Sequence, residues 1–317
     1  MNTSLAKILK ITLPLLLGVV LIWYSLSKIS FQDLVQYFKN ADYMFIGLGL
    51  LFGLLSHLSR AYRWKFMIEP MGYNLRLPNS IMAVFATYLV NYTIPRAGEV
   101  TRATILTNYE GVPFEKGFGT IVAERIADMC IMMLIIAITL FLEFEFIFQF
   151  FIERFDPFKI SIAIAILLIL GFLFFIFLKR SSSTFAIKIR SFVEGLIEGV
   201  LSIFKMEKKW AFIFHTFFIW AMYVLMFYIT TFALDETSNI PLAAILIGFI
   251  SASFSIAATN GGIGSYPVAV YAAFSIFSIA KEPSIAFGWI MWSSQTLMII
   301  VLGGLSLFYL PIYNRRK

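Results

Sequence analysis

The sequence predicts an all-α polytopic membrane protein, and three observations carry that prediction. Sixty per cent of the 317 residues are hydrophobic, only 14 % are charged, and the mean hydropathy is +0.86. No soluble domain of this size can hide so much apolar surface. The apolar residues also fall in runs of about 20, the length that crosses a hydrocarbon core. Finally, the charges sit in short stretches between these runs or in compact groups inside them. The pattern calls for about six full spans and two further segments that break before they cross, about eight hydrophobic segments in one membrane domain covering 1–317.

The first span runs from about 9 to 26, behind Lys7 and Lys10. Because the rest of the chain is also apolar, it reads as an uncleaved span rather than a signal peptide. A charge-balanced loop with Lys28, Asp33, Lys39 and Asp42 leads to a second span over 43–64, whose end carries His57, Arg60, Arg63 and Lys65. The next apolar segment, 80–95, is short and stops at Pro95, which lacks an N–H donor and breaks a helix. Gly98, Gly111, Pro113, Gly117 and Gly119 then interrupt the chain, which reads as broken helix as far as Ile121. A clear span over 121–142 holds Glu124, Arg125 and Asp128 in its first turns.

An acidic loop is expected over 143–159, with four acids against two bases, followed by a span over 160–178. Residues 179–209 carry seven bases against three acids. Within them Ile189, Phe192, Val193, Leu196, Ile197, Val200, Leu201 and Phe204 share one face at helical spacing, so 184–208 reads as an amphipathic helix in the cytoplasmic interface. A span over 210–233 ends at Asp235 and Glu236. A second broken pair covers 241–280 around Thr259-Asn260-Gly261-Gly262-Ile263-Gly264, and a last span over 284–310 leads to Arg315-Arg316-Lys317.

Charge sets the expected orientation in the cell membrane. The basic N-terminus, 60–76, 179–209 and C-terminal tail belong in the cytoplasm, and the acidic 143–159 and 235–236 belong outside. Parity then requires 80–121 to enter and return on the cytoplasmic side, and 241–280 on the outer side. These are two candidate re-entrant hairpins of inverted orientation, and their breaks are expected to face each other across a wet, charged chamber. Irregular backbone at membrane depth survives only where protein or water satisfies it, and paired breaks in two halves of a chain point to a transporter's binding site.

The buried charges supply the chemistry. Arg96 and Arg102 can hold a phosphate, Glu99 can fix their geometry, and Glu124, Arg125 and Asp128 form a second mixed group. Arg60 and Arg63, followed by Trp64, read as interfacial anchors whose stems snorkel, with a phosphate role as the alternative. Gly98, Gly261, Gly262 and Gly264 suit close backbone approach to a ligand. A structural charge lattice and tight tip packing are the competing readings of the same residues. The net charge of +7 sits in short loops, so nucleic acid is not an expected partner; membrane lipids are. The single Cys130 excludes an internal disulfide. No phosphate-loop, metalloprotease or nucleophile-elbow pattern occurs, so no cofactor, metal or nucleotide hydrolysis is expected.

Arg60-Ala61-Tyr62-Arg63-Trp64, Pro95-Arg96-Ala97-Gly98-Glu99-Val100-Thr101-Arg102, Glu124-Arg125-Ile126-Ala127-Asp128 and Gly261-Gly262-Ile263-Gly264 occur in an order that resembles the transmembrane, flippase-like region of lysylphosphatidylglycerol synthases and its stand-alone relatives. The resemblance implies movement of aminoacylated, polar or isoprenoid-linked lipids between leaflets. It also implies that this chain, ending after its last span, lacks the soluble synthase domain. Relatives often read Pro-Gly-Gly-Leu-Gly followed by a glutamate; here Asn260 and Pro267 take the proline and glutamate positions, which argues against a lysyl lipid. The leading expectation is therefore a lipid translocator rather than an enzyme. The alternatives are a membrane-embedded transferase or hydrolase using Glu99, Glu124 and Asp128, and a non-transporting scaffold.

Overall fold

Helix is the regular structure throughout the computed structural model, which describes residues 16, 18–94, 97–154, 156–190, 194 and 206–315. That is what a chain in lipid must do, since a helix satisfies its backbone donors and acceptors internally. Among the described residues, four helices are long and apolar enough to cross a membrane: Tyr43–Met71, Phe114–Leu142, Lys209–Thr231 and Lys281–Asn314. A fifth crossing is reached if Ala165–Arg180 and Thr184–Arg190, bent by 100° at their junction, count as one span. The expected six spans are thus supported only in part. Residues 9–15 and 17 of the first expected span, and residues 191–193 and 195–205 of the expected amphipathic helix, lie outside the described residues.

The chain divides into two compact units, one of residues 1–122 and 207–317, the other of 123–206. The first unit begins with α1 (18–26) and α2 (Phe31–Asn40), the latter capped by Ser30, whose Oγ accepts from the Asp33 amide. α3 (Tyr43–Ile68) packs antiparallel on α10 (Lys209–Thr231). Gly49 lies against Thr230 and Gly53 against the Met226 sulfur at one end, while Arg63 reaches Thr216 at the other. Small residues let two helices approach where lipid supplies no hydrophobic drive between them. α11 (Asp235–Ser238) is a single turn after α10.

Two pairs of short helices fold back on themselves. α4 (Leu77–Thr93) starts at Pro78, where a missing N–H costs nothing, and stops two residues before Pro95. α5 (Ala97–Glu110) returns along it: Gly98 sits against the Thr87 carbonyl near the tip, and Glu110 pairs with Arg76 at the base. α12 (Leu242–Ala258) and α13 (Ser265–Ser275) repeat the arrangement. The Ser255 and Ser265 hydroxyls are 2.7 Å apart at the tip, and Gly248 lies against Phe274 toward the base. The first hairpin is shorter than the expected 80–121. Gly111, at φ +70°, and Pro113 end α5, so 114–121 opens the next helix instead.

That helix, α6 (Phe114–Leu142), leads into the second unit, which holds α7 (Phe144–Arg154), α8 (Pro157–Arg180) and α9 (Thr184–Arg190). The expected 143–159 loop is therefore largely helical. Its four acids suggested a loop, but no glycine or proline interrupts 144–154, and Pro157 begins α8 rather than ending α7. Asp156 caps α8 by accepting from the Phe158 amide at 2.9 Å.

The last helix, α14 (Lys281–Asn314), measures both hairpins. At about 1.5 Å per residue its 34 residues run roughly 50 Å, well beyond a hydrocarbon core. In order along it, Phe287 stacks on Phe274 at 5.6 Å, Gly288 meets Pro267, and the Trp292 indole donates to the Gly261 carbonyl at 2.8 Å. Next, Thr296 bonds Tyr92 Oη at 3.2 Å, Gly303 meets Phe85 and Leu89, and Asn314 bonds Asn79 and Arg76. The α12–α13 pair therefore lies along the first part of α14 and the α4–α5 pair along the rest. Their bases sit at opposite ends, and their tips sit at residues 292–296.

Candidate functional site

The tips meet because glycine and tyrosine fit together there. Gly261, Gly262 and Gly264 all have positive φ, at +63°, +80° and +68°, a region closed to most side chains. A Cβ on Gly261 would collide with the Tyr92 ring, and one on Gly264 with the α1 backbone at Leu21 and Ile22. The expectation that the two breaks face each other holds at Tyr92 and Gly261. Pro95 and Arg96 lie outside the described residues. The tips touch directly at this point, so the expected open chamber is closed here by a ring packed on a glycine.

Polar groups satisfy the interrupted backbone. Asn91 Oδ1 accepts from the Gly98 amide at 2.8 Å and so caps the α5 N-terminus from across the hairpin, while its Nδ2 reaches Glu99 Oε2 at 3.4 Å. Gly98 admits this arrangement, since a Cβ would meet Asn91 Oδ1 as well as the Thr87 carbonyl. In the other hairpin Ser265 Oγ lies 2.7 Å from Ser255 Oγ and 2.8 Å from Thr259 Oγ1. Asn260 is buried beside them, and its Nδ2 has no hydrogen-bond partner among the described residues.

Three of the sequence-predicted arginines are buried on α3 and α5: Arg60, Arg63 and Arg102 are 3 %, 0 % and 3 % exposed. The Arg102 guanidinium lies 3.8 Å from the Trp64 ring centroid, and the indole donates to Thr120 Oγ1 at 2.8 Å. Arg60, four residues before Trp64, shares its helix face. Arg63 points the other way, toward α10, where it donates to Thr216 Oγ1 at 2.7 Å and lies over Phe212. Arginine stays charged when buried, so these residues place positive charge where water is scarce. Glu124, Arg125 and Asp128 fall on α6 within the second unit, where Arg125 Nη1 is 3.9 Å from Asp128 Oδ2. Arg60, Arg63, Glu99, Arg102, Glu124, Arg125 and Asp128 all make interactions beyond these.

Sequence reasoning missed Asn91, Trp292 and Thr296, which tie the tips to each other and to α14. It also missed the base of the first hairpin, where Arg76 pairs with Glu110 at 3.0 Å, Asn79 bonds Glu110, and Asn314 closes the set. A polar residue standing alone in an apolar run was the available signal. His57 lies beside Tyr223 and His215 beside Ser59, and no group of three His, Cys, Asp or Glu suited to a metal occurs among the described residues.

Comparison with known proteins places this geometry. The model of the lysylphosphatidylglycerol synthase TM region matches residues 11–304. A UPF0104 membrane protein of Methanocaldococcus jannaschii is 27 % identical over 128 residues, 39 % of this chain and 38 % of that protein. A second UPF0104 membrane protein, from Methanothermobacter thermautotrophicus, is 26 % identical over 101 residues, 31 % of this chain and 29 % of its own. The match thus spans well under half the length of these relatives. No solved structure matches.

Proposed function

We infer the function of this protein from one premise: the chain belongs to the family of the lysylphosphatidylglycerol synthase TM region, and it is a multi-helix membrane protein. On that premise we propose that it moves a lipid with an anionic head group between leaflets, without hydrolysing nucleotide. The observation that carries the proposal is the tip-to-tip meeting of two hairpins about 20 Å from one end of α14 and about 30 Å from the other. If α14 crosses the bilayer, the hairpins enter from opposite faces, with the N- and C-termini and the base of the first hairpin on the basic, cytoplasmic side.

In this reading a head group crosses along short polar half-helices while its acyl chains stay in lipid. Arg60, Arg63 and Arg102 attract the phosphate; Glu99, joined to Asn91, keeps the α5 N-terminus in place. The buried Asn260 amide supplies a donor at the second tip; leaving such a group unsatisfied costs about 1–3 kcal/mol, so a phosphate oxygen is a favourable partner. The Tyr92–Gly261 contact is the closed state of the passage, and translocation requires it to part.

The test is head-group translocation of a fluorescent phosphatidylglycerol in proteoliposomes, followed by quenching from outside. Wild-type protein should accelerate it, and Arg102→Gln should slow it by roughly tenfold or more, as expected for one charged contact. A wild-type rate equal to empty vesicles, or full activity in Arg60→Gln and Arg102→Gln alike, would overturn the reading.

A further inference from the structure

The translocation reading leaves the buried imidazole of His57 without a task. His57 lies near the middle of α3, about 20 Å from its start, and is 7 % exposed. An ionisable group at that depth marks an ion or proton path more often than a structural element.

Its surroundings form a connected polar chain. His57 Nδ1 is 3.4 Å from Tyr223 Oη on α10, and Tyr223 Oη is 3.5 Å from Tyr88 Oη on α4. The His57 ring centroid lies 4.7 Å from that of Tyr88 and 5.7 Å from that of Phe85. The chain reaches both hairpins. Tyr88 is one turn from Tyr92, whose ring packs on Gly261. Tyr223 packs edge-on against Trp220, which in turn packs edge-on against Phe249 of α12. The charged and titratable groups that these contacts and helix spacing place around the ring are Arg60 on α3, Tyr88 on α4 and Tyr223 on α10.

Two consequences follow from chemistry alone. With Nδ1 unprotonated, Tyr223 donates to it. When the ring takes a second proton both nitrogens become donors, so Tyr223 must accept from Nδ1 and turn its own O–H toward Tyr88. The proton count on each tyrosine is unchanged, and only the direction of the chain reverses. Second, Arg60 stands three residues from His57 on the same helix face, so an imidazolium there is opposed by a neighbouring cation. A phosphate bound at the arginines offsets that repulsion, and by linkage a proton on His57 strengthens phosphate binding by the same factor.

We propose that His57 is a proton-binding site that takes up one proton with each anionic head group, the Tyr223–Tyr88 chain passing its state to the hairpin tips. The proton comes from water on the loading side and returns to water when the head group leaves, so each cycle carries one proton and one negative charge together. This rests on the translocation reading, and the test separates the two.

The protein, purified without a polyhistidine tag and labelled with 15N-histidine, has two imidazoles to observe, assigned by His57→Gln and His215→Gln. In nanodiscs of phosphatidylglycerol the His57 imidazolium should persist to higher pH than in phosphatidylcholine, and Arg102→Gln, which leaves the membrane's surface potential unchanged, should shrink that difference. In proteoliposomes a gradient of one pH unit, acid on the loading side, should bias phosphatidylglycerol distribution by up to about tenfold, and His57→Gln should abolish the bias. A His57 ring that stays neutral from about pH 5 to about pH 8 in both lipids overturns the proton site, whether or not translocation occurs. Translocation by wild-type protein that ignores the gradient overturns the coupling while leaving the translocation reading intact. Absence of any wild-type translocation overturns that reading, and the spectra still decide the proton site.

Discussion

Replacing Gly261 by alanine should be costly, and the cost should depend on Tyr92. Two terms add. Gly261 has φ +63°, and holding an L-residue in the left-handed region costs about 1–2 kcal/mol. The new methyl also enters the space of the Tyr92 ring, and overpacking of this kind costs about 1–3 kcal/mol. Gly261→Ala should therefore lose about 2–5 kcal/mol in total. Tyr92→Ala removes the obstacle while opening a cavity of its own, for about 3–5 kcal/mol. In the double variant the steric part of the alanine cost disappears and the backbone part remains. The two changes should then couple favourably by about 1–3 kcal/mol. Reversible unfolding of the four proteins in mild detergent, followed by circular dichroism, measures the cycle. Additivity within about 0.5 kcal/mol would mean that the tips do not touch.

Three further outcomes are expected. Asn91→Ala should destabilise by about 1–2 kcal/mol through loss of the cap on Gly98, and Asn91→Asp should recover little of it, because it keeps the acceptor for Gly98 but turns a carboxylate oxygen toward Glu99; both are read by thermal unfolding. Glu110→Gln should cost about 2–3 kcal/mol, below the full value for a buried pair because Arg76 keeps partial solvent access; raised salt should change wild-type stability little, since Glu110 itself is buried. Gly303→Val should push α4 off α14, because a Cβ there already lies 2.7 Å from Leu89 Cβ; about 1–3 kcal/mol is at stake in the same unfolding assay.

Much of the architecture was legible because breaks in apolar sequence have few physical meanings. Pro95 cannot continue α4, and three glycines in four positions at 261–264 cannot continue α12, so the two breaks could be placed from the residues alone. The end of the first hairpin was misplaced because Gly117 and Gly119 look like Gly111 in composition. Only Gly111 takes the left-handed turn, while the other two ride inside α6. The acidic 143–159 segment was read by charge alone, and charge does not stop a helix that contains no breaker. The buried arginines were half visible: Arg60 and Arg63 looked like interfacial anchors, yet both are buried. The stacking of Arg102 on Trp64 depends on how α5 packs, which no local pattern encodes. The partners of Asn91, Trp292 and Thr296 were hidden for the same reason, since each lies distant along the chain or across the hairpin turn.

The central claim is that two half-crossing hairpins come from opposite membrane faces and meet midway along α14. Single cysteines on a Cys130→Ser background test it most directly. Asn74→Cys lies at the exposed base of the first hairpin and Ala280→Cys at the exposed base of the second. A membrane-impermeant thiol reagent applied to one side of sealed, oriented vesicles should label one of these positions, and applied to the other side it should label only the other. Labelling of both cysteines from the same side would contradict the account.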